Sequence, residues 1–133
     1  MGLPGSGKTT LAKLLVPKLN AVWHNADDVR NTVHTDLGFE EKDRLEHARR
    51  LCFWADKIAE AGHHSVTDFI CPIPEMRTIF DADFIIWVDR IKKGRFDDTN
   101  QLFVPPKKYD IRLNTGTPKE WLKKVIKKLD KKL

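Results

Sequence analysis

The sequence predicts an α/β domain with a mainly parallel sheet. Short apolar runs alternate with longer helical patterns along the 133 residues, which is typical of strand–helix–strand units. With 41% hydrophobic and 32% charged residues, a chain of this length predicts a single globular domain over 1–133. The run GLPGSGKTT at 2–10 indicates which type of α/β fold this is. Its spacing is that of a loop that joins a strand to a helix around a phosphate group.

This run fits G-x-x-x-x-G-K-[ST], the pattern of phosphate-binding loops (P-loops). The glycines let backbone N–H groups face the β- and γ-phosphates, Lys8 adds a positive charge, and the Thr9 hydroxyl can bind Mg²⁺. The pattern therefore predicts a P-loop NTPase-type three-layer fold with ATP and Mg²⁺ as cofactors. The alternative, a Gly-Pro turn that caps a helix, is disfavoured by the full match. The predicted nucleotide-binding residues are Gly2, Gly5, Ser6, Gly7, Lys8, Thr9 and Thr10.

Only Met1 precedes this loop, although a P-loop normally follows a buried strand. In this type of fold that strand is central to the sheet, so its absence removes hydrogen-bond partners on both sides. The first strand is thus missing from the sequence. We expect either that the chain is an N-terminally clipped fragment or that another element fills the gap.

Apolar periodicity and turn residues predict the remaining elements. The long helix has apolar residues at i, i+3 and i+4 and ends at Gly62, and the last helix begins with the capping box Thr117-Pro118-Lys119-Glu120. The polar stretch 89–108 predicts a shortened, lid-like loop. The predicted elements are a helix from the P-loop to about 20, a strand at 21–24, a helix at about 27–33, a helix at about 40–61, a strand at 65–67, a turn and short helix at 72–80, a strand at 84–88, the loop, a strand at 109–113 and a helix from 118.

Composition and charge disfavour several classes of protein. No apolar stretch approaches the length of a membrane span and no signal-peptide pattern opens the chain, so we expect a cytoplasmic protein without membrane contact. Cys52 and Cys71 lack the spacing of metal ligands or of a disulfide framework. The net charge of +5 suits polyanionic ligands. The lysines of the last helix alternate with apolar positions, however, and favour a solvated face over contact with nucleic acid.

Chemistry is expected at the carboxyl ends of the parallel strands, where ligands bind in open α/β sheets. Asp27 follows the first predicted strand, and Asp68 ends the next one. A carboxylate there can accept the proton of an attacking hydroxyl or help to hold Mg²⁺. Lys8 and Asp27 are therefore the catalytic candidates, and Thr9 and a Walker-B-like Asp68 are the candidate metal ligands. The alternatives are an N-cap role for Asp27 and a turn role for Asp68.

Beyond the P-loop, the sequence resembles the adenylylsulfate kinase family. The matching segments are GLPGSGKTTLA at 2–12, DDVR at 27–30, DLGF at 36–39, DR at 43–44, RR at 49–50, and FICP at 69–72 with an arginine at 77. The resemblance covers most of 2–80, and 109–115 resembles the last strand of the family. It implies a kinase that transfers the γ-phosphate of ATP to the 3′-hydroxyl of adenosine 5′-phosphosulfate (adenylylsulfate), a step of sulfate assimilation.

The resemblance also implies an acceptor site and makes Asp27 its base or Mg²⁺-organising carboxylate. Phe39 would stack on the adenine of the acceptor, and Phe103 or Phe96 would be a second aromatic clamp. The alternatives are a hydrophobic staple for Phe39 and a solvated helix flank for Arg49 or Arg50. The arginines would clamp the phosphosulfate. The implied acceptor-binding residues are Arg30, Phe39, Arg44, Arg49 and Phe103.

The sequence departs from the family pattern at three places. NAD at 25–27 replaces Asp-Gly-Asp, His47 replaces an asparagine, and the lid motif is compressed into 90–103. Because a lid contacts both nucleotide and acceptor, the identity of the acceptor is the open point. The alternatives are a P-loop kinase of another hydroxyl, such as a polynucleotide 5′-end, and a nucleotide-binding protein without turnover. A small-molecule nucleotide is the expected partner, and the resemblance implies a homodimer.

Overall fold

The computed structural model describes residues 1–91 and 102–132, and within them helices and strands alternate as predicted for an α/β domain. Most of the predicted lid-like loop at 89–108, including Phe96, lies outside the described residues. The elements are α1 (Lys8–Leu19), β1 (Val22–Asn25), α2 (Ala26–Thr32), α3 (Glu41–Glu60), β2 (Ser65–Asp68), α4 (Pro74–Phe80), β3 (Ile86–Val88), β4 (Ile111–Leu113) and α5 (Pro118–Lys132).

Two strands are shorter than predicted, since β3 begins at Ile86 rather than at 84 and β4 at Ile111 rather than at 109. Just before β3 and β4, a side chain provides one of the hydrogen-bond partners that the backbone provides in a regular strand pair. The Ile85 N–H donates to the Asp110 carboxylate at 2.7 Å. The Ile85 carbonyl accepts from the N–H groups of Asp110 and Ile111 at 2.9 and 3.2 Å. Periodicity alone does not reveal such a substitution of a carboxylate for a backbone partner.

All described strand pairs are parallel: β1 pairs with β2, and β3 pairs with β4. Met1 lies beside β3, where its amino group donates to the Ile86 carbonyl at 2.6 Å and its carbonyl accepts from the Val88 N–H at 2.8 Å. The P-loop therefore starts at the carboxyl end of β3. In the described residues no other strand pairs with β2 or β3.

The core consists of two apolar clusters, one between α3 and α4 and one that joins α1 and α5 to β3 and β4. Trp121 of α5 is fully buried, and its indole N–H donates to the Thr115 carbonyl at 2.7 Å. Its ring lies 3.0 Å from the position that a Cβ on Gly7 would take, so α5 supports the P-loop from below. No helix within 1–91 and 102–132 is both long and apolar enough to span a bilayer.

A buried histidine pair holds the link between α2 and α3. The Nδ1 atoms of His34 and His47 lie 2.8 Å apart, and the two rings are perpendicular. The residues are 3% and 2% exposed. Burial, with Arg30 as the next largest cause, lowers the pKa of His47 from 6.5 to about 4.

We expect the free energy of unfolding to fall as the pH falls from about 6.5 to about 4. The unfolded chain takes up a proton on His47 near the upper value and the folded chain only near the lower one, so the unfolded state binds more protons in between. His47→Asn should remove about 2 kcal/mol of this pH dependence, measured by urea unfolding at about pH 7 and about pH 4.5. His63→Asn, at an exposed position, is the control. Identical pH dependence in wild type and His47→Asn would contradict the assignment.

Candidate active site

The P-loop forms a glycine-rich turn in front of α1. Gly5 and Gly7 have φ angles of 84° and 110°, a region that residues with a Cβ rarely adopt. A Cβ on Gly2 would lie 2.3 Å from the Val88 carbonyl oxygen, so the loop also needs glycine for its close approach to β3. Gly7 is the N-cap of α1, which has no side-chain cap and no acidic residue in its first turn. The first N–H groups of α1 are thus available to an anion.

Two cations lie against the backbone of the loop. The Lys8 Nζ donates to the Leu3 carbonyl at 3.1 Å. Arg90, two residues beyond the end of β3, donates to the Ser6 and Gly5 carbonyls at 3.1 and 3.0 Å. These contacts keep positive charge where a triphosphate would bind. The sequence places Arg90 at the end of a strand but contains no signal for its contact with a loop more than eighty positions away.

Thr9, Asn25 and Asp68 meet at the carboxyl ends of β1 and β2. The parallel register places Asn25 opposite Asp68, whose side chain is buried. The Thr9 hydroxyl donates to Asp68 Oδ2 at 2.8 Å, and the Asn25 amide donates to the same oxygen at 3.0 Å. The structure therefore brings together the two predicted metal ligands. It adds Asn25, which the sequence marked only as a departure from the family pattern.

The oxygen atoms of Thr9 and Asp68 fit a Mg²⁺ ion that is shared with phosphate groups. Mg²⁺ usually binds one or two protein oxygens and completes its shell with phosphate and water. Within the described ranges no cluster of three or more His, Cys, Asp or Glu side chains could hold a metal without such help. The donor set at this position thus suits a nucleotide-bound Mg²⁺ better than a metal held by protein ligands alone.

Asp27 lies exposed in the first turn of α2, directly beyond the Thr9, Asn25 and Asp68 cluster. The N-cap of α2 is Asn25, whose Oδ1 accepts from the Asp28 N–H at 3.0 Å. The alternative N-cap role for Asp27 is therefore wrong. Its carboxylate faces the electrostatic field of Arg30 one turn along the same helix, and it accepts no hydrogen bond from 1–91 or 102–132.

Arg30, Phe39 and Arg44 form a second cluster. The Cζ atoms of Arg30 and Arg44 lie 4.6 and 5.8 Å from the centroid of the Phe39 ring. Arg44 Nε donates to the Phe39 carbonyl at 2.9 Å, and Arg30 donates to the Gly38 carbonyl. Partial burial, and then the nearby Arg44, lowers the pKa of Arg30 below its usual value. Two crowded cations beside an aromatic ring make a favourable site for an anion with a flat apolar group.

The hydrophobic-staple interpretation of Phe39 is wrong. Phe39 is 67% exposed, so it does not pack into the start of α3. A staple also needs an apolar partner at the fourth helical position, and that position is Arg44. The exposure of the ring therefore has no packing explanation and favours a role in binding.

Arg49 and Phe103, the other two predicted acceptor-binding residues, lie elsewhere. Arg49 is a 62%-exposed side chain that binds Glu46 one turn earlier on α3, at 2.6 Å. Arg49 is therefore the arginine on the solvated flank of α3. The sequence had left that role undecided between Arg49 and Arg50. The Phe103 ring lies 5.5 Å from the Cζ of Arg77. The structure thus groups three of the five expected side chains, and neither Arg49 nor Phe103 has a described contact with Phe39.

Helix α2 connects the two clusters. Asn25 at its N-cap binds Asp68, and Arg30 near its end binds the backbone beside Phe39. Five residues of α-helix separate these points by roughly 8 Å along the axis. Asp27 lies between them. The spacing suits a donor phosphate at one end and the reacting hydroxyl of a nucleotide held at the other.

Comparisons with known proteins show the family. The family model described as adenylylsulphate kinase matches residues 1–88. An adenylyl-sulfate kinase of Clostridium acetobutylicum is 36% identical over 98 residues, which are 66% of this chain and 49% of that protein. An adenylyl-sulfate kinase of Bacillus licheniformis is 38% identical over 81 residues, 57% of this chain and 41% of that protein. The matched region thus spans about half or less of these relatives.

Solved structures match nearly the whole chain. The Mycobacterium tuberculosis APS kinase CysC, in complex with AMPPNP and APS, has a TM-score of 0.82 and 26% identity over 98% of this chain and 94% of that chain. A hexameric APS kinase from Thiobacillus denitrificans has a TM-score of 0.75 over 99% of this chain and 28% of that chain. At 22% identity, that second match supports the fold alone. Because the family model matches well over half of the sequence, the chain belongs to the adenylylsulphate kinase family.

Proposed function

We propose that the chain provides the active site of an ATP-dependent kinase that phosphorylates the 3′-hydroxyl of adenosine 5′-phosphosulfate. The observation that carries this proposal is the placement of two clusters at the two ends of α2. One cluster has the features of a triphosphate site, and the other combines an exposed aromatic ring with two arginines. Membership of the adenylylsulphate kinase family supports the same assignment.

On the donor side, the phosphates of ATP would bind the N–H groups at the start of α1 and the Lys8 ammonium. Thr9 and Asp68 would hold Mg²⁺, which when bound neutralises charge on the β- and γ-phosphates. Asn25 fixes the Asp68 carboxylate through its amide at 3.0 Å, so the carboxylate is oriented before nucleotide binds. The Arg90 guanidinium fixes the P-loop by donating hydrogen bonds to the Gly5 and Ser6 carbonyls at 3.0 and 3.1 Å.

Asp27 would remove the proton of the attacking hydroxyl. A base must lie within hydrogen-bond reach of the proton that it accepts, and Asp27 is one of two exposed carboxylates, with Asp28, in the turn between the two clusters. Its position is set by the first turn of α2, which Asn25 caps independently of Asp27. The carboxylate is thus available for the substrate, because the N-cap hydrogen bond of the helix does not depend on it.

On the acceptor side, the adenine would stack on Phe39 while Arg30 and Arg44 bind the phosphosulfate. In the described arrangement both guanidinium groups lie against the Phe39 ring. A cation–π contact at an exposed site contributes about 0.5–1 kcal/mol, whereas a hydrogen bond to a charged group contributes about 1.5–3 kcal/mol. An incoming anion therefore outcompetes the ring for the arginines. Their movement would leave the face of Phe39 to the adenine.

Arg44→Ala should weaken the binding of adenylylsulfate by about 2–3 kcal/mol and leave ATP binding nearly unchanged. The reason is that Arg44 contacts Phe39 and has no described contact with the P-loop. Calorimetric titration of both ligands into the one variant measures the two effects. Arg49→Ala is the comparison, and we expect little effect on either ligand because Arg49 is exposed and bound to Glu46. Equal losses for both ligands in Arg44→Ala, or no loss for either, would refute the assignment.

The alternative acceptor is a polynucleotide 5′-end. The structural feature that would bind such a nucleic acid is a basic groove beside α5. At its far end Lys132 binds the Asp83 carbonyl at 2.5 Å and the Asp110 carboxylate at 3.1 Å. These residues precede β3 and β4, so the groove lies at the amino ends of the strands, whereas the P-loop lies at the carboxyl end of β3. A nucleic acid bound there would be remote from the donor phosphate. The groove is lined by Phe84, Asp110, Ile111, Lys124, Lys127, Lys128, Lys131 and Lys132.

A further inference from the structure

The link between α2 and α3 carries Phe39, and three further contacts hold it besides the hydrogen bonds of Arg30 and Arg44 to the Gly38 and Phe39 carbonyls. The His34 N–H donates to the Val29 carbonyl at 2.8 Å, which anchors the link to α2. Arg50 binds the Asp36 carboxylate through two bonds of 2.8 Å, but the side chain of Asp36 is 61% exposed. The third tie is the contact between His34 and His47, and it is the one whose partners are both buried.

His47 contacts both ends of this region. Its Nδ1 faces Nδ1 of His34 in the link. Burial lowers the pKa of the same ring, and hydrogen bonding to the backbone of Ala26, the first residue of α2, acts in the opposite direction. His47 thus lies between the turn that bears Asp27 and the link that bears Phe39.

We propose that His34 and His47 are positioning residues of the acceptor site, which hold the link so that Phe39 and Arg30 are presented together to the nucleotide. This inference rests on the proposed function. The Gly38 carbonyl, which accepts from Arg30, and Phe39 directly after it both belong to the segment that the pair fixes. Without the pair, the segment is held only by exposed or local contacts. The Phe39 ring and the Arg30 guanidinium are then no longer fixed in position relative to each other.

The pair works by sharing one proton between two neutral rings. One Nδ1 carries the proton and donates it, and the other Nδ1 accepts. The charged groups that face the rings are Arg30 of α2, Asp36 of the link, and Glu46 and Arg50 of α3. Burial is the largest cause that lowers the pKa of both histidines, and the nearby arginines act in the same direction. The rings are therefore neutral near pH 7, so the contact is a constant support rather than a switch in that range.

Kinetics of three variants test the proposal. Asparagine can place an amide near the position of Nδ1, whereas leucine fills space without a polar atom, so His47→Asn and His47→Leu separate the hydrogen bond from packing. We expect His47→Leu to raise the KM for adenylylsulfate by about tenfold, the equivalent of one buried hydrogen bond. The KM for ATP should stay within about twofold. His47→Asn should restore most of the acceptor KM, and His63→Asn, at an exposed site, should behave as wild type.

Histidine NMR of the substrate-free wild type gives a readout that does not depend on activity or on the folding of a variant. We expect one protonated and one bare Nδ1 in mutual contact, with both rings neutral at pH 7. Two rings that titrate independently with ordinary pKa values would overturn the pair. So would parallel changes of both KM values in His47→Leu, or His47→Asn behaving like His47→Leu. If the wild type shows the shared proton but neither binds nor phosphorylates adenylylsulfate, the proposed function fails and the acceptor role of the pair fails with it, while the pair itself stands.

Discussion

Replacing Lys8 by alanine should remove most of the affinity of this chain for ATP. The Lys8 ammonium lies at the P-loop, bound to the Leu3 carbonyl at 3.1 Å, and is the lysine that the motif places on the β- and γ-phosphates. Loss of a charged partner from a desolvated anion site costs about 2–5 kcal/mol, which we expect as the change in ATP binding free energy measured by calorimetry. Inorganic phosphate or sulfate should also bind more weakly, because the same N–H groups and the same charge attract them.

Lys13→Ala is the matched control, since Lys13 lies exposed on the same helix α1. It removes the same charge from the chain without touching the loop, so its ATP affinity should equal that of the wild type. If Lys8→Ala binds ATP as tightly as Lys13→Ala, the loop is a helix-capping turn and the assignment of the nucleotide site is wrong.

Asp27→Asn should lower kcat by roughly 10²- to 10⁴-fold with little change in the KM for ATP. The amide keeps the size of the side chain but cannot accept the proton of the acceptor hydroxyl. Because Asn25 is the N-cap of α2, the substitution leaves the cap intact. Thermal unfolding should therefore show only the small loss expected for one fewer acidic group at a helix N-terminus, about 0.3–1 kcal/mol.

Asp28→Asn is the control that distinguishes the loss of a negative charge at the helix end from the loss of the catalytic base. Asp28 lies in the same first turn and is also exposed. Both variants lose one acidic group at the same helix end. We expect Asp28→Asn to retain most of the wild-type kcat. Equal losses of kcat in the two variants would show that Asp27 acts through the helix rather than as a base.

Local signals in the sequence predicted the fold well. The capping box at the start of α5 forms as expected, with the Glu120 N–H on the Thr117 hydroxyl at 3.3 Å and the Thr117 N–H on the Glu120 carboxylate at 3.4 Å. Such a motif is read from four adjacent residues. The N-cap of α2 was harder to place, because asparagine and aspartate cap equally well and the choice depends on the residue at which β1 ends.

The site was predictable where a motif fixes it and not where distant segments meet. Thr9 and Asp68 meet as expected, because the P-loop and the strand end define both positions. Adjacent arginines on a helix point about 100° apart, and the sequence did not show that Arg50 rather than Arg49 would turn toward the α2–α3 link. The contact of His34 with His47 depends on how this link packs on α3, which no spacing rule encodes.

The most direct test of the central claim is ATP consumption by the 133-residue chain with no acceptor, with adenylylsulfate, and with a 5′-hydroxyl oligonucleotide. The product of each reaction is identified by chromatography. The account predicts that adenylylsulfate stimulates consumption and yields a nucleotide with a new 3′-phosphate, and that the oligonucleotide does not stimulate it. Stimulation by the oligonucleotide alone, or ATP binding without turnover in the presence of adenylylsulfate, would contradict it.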